Sequence, residues 1–218
     1  MNKRIKNFLI IIPILIISFY YSIYKFESQS AIDGGLILSE FVKFPENFSN
    51  VTSIFYNSWT ILHHFSLILL KLDFSVDLVS TILIFITTLF YTLGIFFLVK
   101  GFNHSKFLAL LVALTVIISR ENFGFVDYPV LYFSEHTYGA FSLSTFTLIT
   151  GLLSNKNYKS VGFFSLLLFS SHLMVGFWVI LLLLSSYIFS LIFFKNDELQ
   201  NYKKIFFGCL IIIIPILI

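Results

Sequence analysis

Charged side chains are absent from five internal stretches of this chain, 7–24, 78–99, 107–119, 136–155 and 160–194, and from a sixth, 205–218, at its end. Phe, Ile and Leu fill these stretches, and the charges are confined to the segments between them. A bilayer core takes about 20 apolar residues per straight helix, and a lipid-exposed segment must satisfy its own backbone hydrogen bonds. The pattern therefore predicts an all-α fold: a single polytopic transmembrane helical bundle over residues 1–218. The expected spans are about 7–24, 78–99, 107–119, 138–154, 160–170, 174–194 and 205–218. The last contains Pro215 and stops at Ile218, so a C-terminally truncated fragment is expected.

The run 160–194 needs two helices. As one it would be roughly 50 Å long at about 1.5 Å per residue, well beyond a hydrocarbon core of about 30 Å. Ser170-Ser171-His172 interrupts its aliphatics and is the expected break. The first arm is then short, like 107–119. Such helices span only where the bilayer thins or where they face water, and a cavity open to the outer side meets both conditions.

Residues 25–77 are too many for a turn and too polar for a span. Within them, 53–72 has one stripe of Ser53, Asn57, Thr60, His64 and Lys71 and another of Phe55, Trp59, Leu62, Phe65 and Leu69. That spacing predicts an amphipathic helix. It is expected in the outer interface, at the end of a long first outer loop, with its aromatics in lipid.

Composition sharpens this picture. With 58% hydrophobic and 11% charged residues, a water-soluble domain could not cover its apolar surface. The net charge of +3 does not imply a nucleic-acid partner, because the basic residues flank the apolar runs. Segments 1–6, 100–106, 156–159 and 195–204 hold ten basic and two acidic residues; the remaining segments hold four basic and nine acidic. The bias puts the first set, with the N-terminus, in the cytoplasm. A multi-pass protein of a bacterial inner (plasma) membrane is expected, since the bias toward Phe, Ile, Leu, Asn and Lys suits an AT-rich microbial genome. The first run exceeds the usual signal-peptide core of about 7–15 residues. It ends in Tyr20, Tyr21 and Tyr24, an interfacial belt that favours an uncleaved anchor. Cys209, the sole cysteine, can form no intrachain disulfide.

Candidate chemistry falls on the acidic outer side. Asp33 lies just beyond the first span; Arg120, Glu121 and Asp127, then Glu135 and His136, lie in the second outer loop; His172 lies at the helix break. A partly desolvated carboxylate can act as a general base, and carboxylates with histidines can hold a divalent cation for phosphate groups. Simpler roles fit the same residues. Asp33-Gly34-Gly35 suits a turn, Glu135-His136 a helix cap, Arg120-Glu121 an ion pair, and His172 a polar turn. His63-His64 lacks the i, i+4 spacing that puts two ligands on one face. There is no phosphate-binding glycine loop, no cysteine metal motif and no Gly-x-Ser-x-Gly.

With an anchor helix, Asp33 just beyond it, an interfacial helix leading to a span at 78–99, and a second outer loop bearing Glu121 and Asp127, the chain resembles the N-terminal part of the GT-C integral membrane glycosyltransferases. Ser171-His172-Leu173-Met174-Val175-Gly176 is also similar to a His-containing helix break in some bacterial relatives. The resemblance implies a polyprenyl-phosphate-linked sugar as donor, moved to a glycan, lipid or protein acceptor on the outer face. It implies Asp33 as the catalytic base, with Arg120, Glu121, Asp127, Glu135, His136 and His172 toward substrate. Asp33 has no second carboxylate beside it, so the paired-acid form of the motif is absent; a divalent cation, Mg or Mn, is an option and not a requirement. A secondary transporter and a non-catalytic membrane assembly subunit are the competing functions. Ion-coupled transporters keep ionisable residues near the membrane midplane, where this chain has no Asp, Glu, Lys or Arg.

Overall fold

Among the described residues, each of the six apolar runs is mainly helical. The computed structural model describes residues 3–24, 27–28, 60–119, 135–136, 138–193 and 199–216. Among them are eight helices: α1 Lys3–Tyr24, α2 Ile61–Lys71, α3 Val76–Gly101, α4 Lys106–Ser119, α5 Tyr138–Ser154, α6 Tyr158–Ser171, α7 Leu173–Phe193 and α8 Leu199–Ile216. A single parallel pairing of two-residue strands, β1 Glu27–Ser28 with β2 Glu135–His136, is the only departure from an all-helical architecture among the described residues.

Local chemistry sets the boundaries. Ser75 and Ser105 cap α3 and α4, their hydroxyls accepting from the amides of Leu78 and Leu108 at 3.3 and 3.2 Å. Asp73, Asn103 and Lys156 have positive φ in the turns after α2, α3 and α5. After α5, Asn157 N–H donates to the Leu152 carbonyl at 3.0 Å and Lys156 N–H to that of Leu153 at 2.9 Å, the paired bonds of a left-handed helix stop. Asp73 and Phe74 stop α2 in the same way, donating to Leu70 and Leu69.

Contacts fix the helix directions. Gly94 lies against Thr147 and Leu148, and Gly101 against Ser154, while Phe90 meets Phe141 with ring centroids 5.9 Å apart. Positions therefore rise together, and α3 and α5 run parallel. Ile14 packs with Ala109 and Ala113, and Tyr21 with Ile117, so α1 and α4 are also parallel. Both oppose α3, since Ile14 meets Phe96 and Tyr21 meets Tyr91. At His172 the chain reverses. Gly176 sits on the Phe169 backbone, and Val175, Val179 and Leu183 of α7 pack with Val161, Phe164 and Leu168 of α6.

The turns thus sort to two ends. One holds the ends of α1 and α4, the strand pair, the α2–α3 turn and the α6–α7 break. The other holds the α3–α4 and α5–α6 turns. The start of α8 joins the latter, because Tyr202 OH reaches Ser186 Oγ at 2.7 Å and Ser190 Oγ at 3.2 Å near the end of α7.

Close backbone approach accompanies apolar packing inside. A Cβ on Gly94 would lie 2.6 Å from the Leu148 nitrogen, and one on Gly151 would meet the Gly94 carbonyl. Ser18, Ser22, Ser80, Thr87, Thr88, Thr92, Ser144, Thr145 and Ser165 are buried. Several bond back to their own helix, as Thr87, Thr88 and Thr145 do to the carbonyls four residues earlier at 2.8 to 2.9 Å. Many large apolar side chains are nonetheless exposed. Along α7 only Gly176, Val179 and Ser190 are buried, while Trp178 and Leu182 are 56% and 62% exposed. Two helices, α3 and α7, are long and apolar enough to cross a membrane.

The helix expected over 53–72 differs. Thr60 is extended, with φ −122° and ψ 147°, and its hydroxyl accepts from His63 N–H as the cap of α2. The helix begins at Ile61, and residues 53–59 lie outside the described residues. Its apolar stripe does not face outward as expected. Leu62 and Leu70 are buried against Val79, Leu83 and Phe141, and Phe65 and Leu69 pack on that cluster. Three helices of the bundle offer α2 a ready apolar surface, so Leu62, Phe65 and Leu69 pack inward; Phe55 and Trp59 lie outside the described residues.

Candidate functional site

The end that gathers the α6–α7 break and the strand pair is where the sequence placed its chemistry. β1 and β2 pair in parallel, Glu27 opposite Glu135 and Ser28 opposite His136. This pairing joins the chain leaving α1 to the chain entering α5, two segments more than a hundred positions apart. Tyr21 OH donates to the Ile117 carbonyl at 3.0 Å, holding the ends of α1 and α4 together beneath it. The backbones of Glu135 and His136 therefore stand at one end of the bundle. Asp33 follows β1 by five positions in sequence. Asp33, Arg120, Glu121 and Asp127 themselves lie outside the described residues.

His172 is positioned by its own backbone. Its φ of −145° and ψ of 92° break the helix. Its N–H donates to the Leu168 carbonyl at 2.8 Å, and its carbonyl accepts from Gly176 N–H at 2.9 Å. Its Nδ1 accepts from Val175 N–H at 3.4 Å. The imidazole is thus the N-cap of α7. With Nδ1 turned to the backbone, Nε2 is the ring nitrogen left to face a phosphate or sugar oxygen. The polar turn and the site residue weighed from sequence are compatible here, because each uses a different ring nitrogen.

Leu167, one turn before the break, packs on the same cluster as Leu62, Leu70 and Phe141. This places α2 beside His172's end of α6. The inward face of α2 carries Leu62, His63, Ser66 and Leu70. His63 is fully buried. The sequence analysis set the His63-His64 pair aside; the i, i+3, i+7 spacing of His63, Ser66 and Leu70 was the signal for an inward His. Among the described residues no group of three His, Cys, Asp or Glu could hold a metal ion.

The two ends differ in charge. Asp73 and Asp77 belong to the α2–α3 turn and the first turn of α3, with Lys71 beside them. Lys100, Lys106, Lys156, Lys159, Lys203 and Lys204 belong to the opposite end. The segregation inferred from loop order alone is thus reproduced by helix packing for these residues. Comparison with protein-family models, with curated proteins and with solved structures finds no match.

Proposed function

We propose that this chain is a multi-span helical membrane protein acting at the outer membrane face, where it transfers a sugar from a polyprenyl-phosphate donor. The observation that carries the membrane part is the number of large apolar side chains on the surface. Leu, Ile, Phe and Trp are exposed on α1, α4, α7 and α8, while Ser, Thr and Gly stand beside Leu, Ile and Val at the buried helix contacts. Water would penalise that arrangement at roughly 25 cal/mol per Å² of apolar surface. Lipid does not, and small residues at helix contacts are what association in lipid favours. The lysine end then faces the cytoplasm, and the strand pair and His172 face outward. The helices α4 and α6, of 14 residues each, are only about 21 Å long; a hydrated recess at the outer end, next to the loops, accommodates them.

The catalytic part is supported by the joining of both outer segments through β1 and β2, and by the His172 imidazole held at the same end. In this reading Asp33 takes the proton of an acceptor hydroxyl. The acceptor oxygen bonds to the anomeric carbon, the bond from that carbon to the phosphate oxygen breaks, and polyprenyl phosphate leaves with the electron pair. The His172 Nε2–H, with Arg120, offsets the charge developing on the phosphate. Glu121, Asp127, Glu135 and His136 orient the sugar. A divalent cation stays optional.

The test is sugar transfer by the full chain in vesicles supplied with polyprenyl-phosphate sugars. Asp33→Asn keeps size but cannot take a proton at neutral pH, so it abolishes transfer and leaves insertion intact. Undiminished transfer by this variant overturns the base assignment. No transfer by the wild type with any donor overturns the enzyme reading.

A further inference from the structure

At the lysine end, α6 and α8 cross with their backbones in contact. Gly162 lies against Ile205 and Cys209, and Gly208 lies against Lys159 and Phe163. Cys209 Sγ donates to the Gly162 carbonyl at 3.3 Å across the same crossing. The two glycines bring Lys159 of α6 over α8, with its Nζ 5.3 Å from the centroid of the Phe207 ring. Lys203 and Lys204 precede Phe207 by four and three residues and so share its face of α8.

One lysine therefore lies over the Phe207 ring, and two more share that ring's face of α8. All three are exposed, and Phe207 is 53% exposed. None of the three has an acidic partner among the described residues. Segments 156–159 and 195–204 together hold five lysines against Asp197 and Glu198, so the neighbourhood is net positive by sequence as well. Converging ammonium groups repel unless an anion joins them. An apolar ring among them excludes an occupant that is anionic throughout. The complement is a molecule with a compact anionic head and an apolar tail.

We propose that the α6–α8 crossing binds an anionic phospholipid, with Lys159, Lys203 and Lys204 on the headgroup phosphate and the acyl chain against Phe207. This rests on the membrane reading above. The lysine stems lie along the apolar surface while their heads reach the phosphate plane, and each N⁺–H to phosphate oxygen bond is charge-assisted. Phosphatidylglycerol fits, because its net negative charge brings no cation of its own among the lysines. Phosphatidylcholine carries its own cation into the same space.

The experiment is native mass spectrometry of the detergent-extracted full chain with added phosphatidylglycerol or phosphatidylcholine. A lysine beside an anionic lipid surface is worth roughly fivefold in affinity, so replacing all three by Gln lowers phosphatidylglycerol retention by roughly a hundredfold. The triple Arg variant keeps the charge and retains the lipid, which guards against a merely misfolded Gln variant. Lys71→Gln, at the other end, binds as wild type. Equal retention by the wild type and the triple Gln variant, or equal retention of the two lipids by the wild type, overturns the site. Recovery of the chain in the soluble fraction overturns the membrane reading and the site together, whereas a membrane-borne chain without lipid preference overturns the site alone.

Discussion

Gly94 is the position where one methyl group tests the packing most directly. An ideal Cβ there would lie 2.6 Å from the Leu148 nitrogen and from the Thr147 carbonyl carbon, and 2.8 Å from the Thr147 oxygen. All three are backbone atoms, so no side chain can swing away. Ordinary van der Waals contact begins near 3.5 Å, so Gly94→Ala forces α3 and α5 apart by roughly 1 Å. Their contact continues through Gly151 and Ser154, and the separation loosens those contacts too. Overpacking of this kind costs about 1–3 kcal/mol, and the intrinsic preference of Ala for helix returns up to about 1 kcal/mol. Three backbone clashes put this site in the upper half of that cost, about 2–3 kcal/mol, so a net loss of roughly 1–3 kcal/mol follows, a fall of about 2–12 °C in Tm for a chain of this size. The lone Cys209 supplies the assay, since a thiol-reactive dye reports unfolding as the half-buried sulfur becomes accessible. Leu153→Ala, on the exposed side of α5, is the control and melts as wild type in lipid. A Gly94→Ala protein that melts at or above the wild-type temperature refutes the close α3–α5 contact.

Single cysteines introduced at Asn103 and Asn157 in a Cys209→Ser background stay shielded from impermeant reagents in intact cells, whereas one at Leu173, exposed beside the α6–α7 break, reacts; labelling of position 157 from outside overturns the topology. The Asn155 amide donates to the Phe97 carbonyl and, at 2.8 Å, to that of Gly151. Asn155→Ala therefore costs about 1 kcal/mol, and Asn155→Asp costs more, because a carboxylate can only accept where two carbonyls already face it; equal melting temperatures for the two variants refute this. His172→Asn keeps an N-cap acceptor and holds Tm near wild type, whereas His172→Ala loses about 1 kcal/mol. Both variants lower sugar transfer, because both lose the Nε2–H.

Charge spacing located the helices well because ionised side chains are expelled from apolar runs whatever the tertiary structure. The break at Ser170 to His172 was legible for the same reason, length being a constraint that needs no neighbour. Helix ends ran past the apolar runs. Thus α8 starts at Leu199 and not near 205, since Gln200, Lys203 and Lys204 are good helix formers. The inward turn of α2 was not legible. An amphipathic stripe states that a face seeks an apolar partner; it does not say whether lipid or the bundle supplies it. Leu83 and Phe141 supply it here, and no local pattern announces residues so distant in sequence. The Gly94 and Gly151 contact had a local sign, small residues within apolar runs, but the pairing of α3 with α5 did not.

The location of the candidate chemistry follows from one topological fact. In an alternating bundle, consecutive helices are antiparallel, so α3 and α5 can pack in parallel only if α4 stands elsewhere. Here α4 packs on α1 and α3. That displacement makes the connection from α4 to α5 long, and it lets that connection pass beside the chain leaving α1, where β1 and β2 pair. The α6–α7 break needs no long connection, because His172 caps the following helix with its own ring. The strand pair and the self-capped break thus meet at one end, as consequences of the helix order. Among the described residues the opposite end has three- to four-residue turns between α3 and α4 and between α5 and α6. The proposed transfer reaction is therefore placed at the end that holds Glu135, His136 and His172.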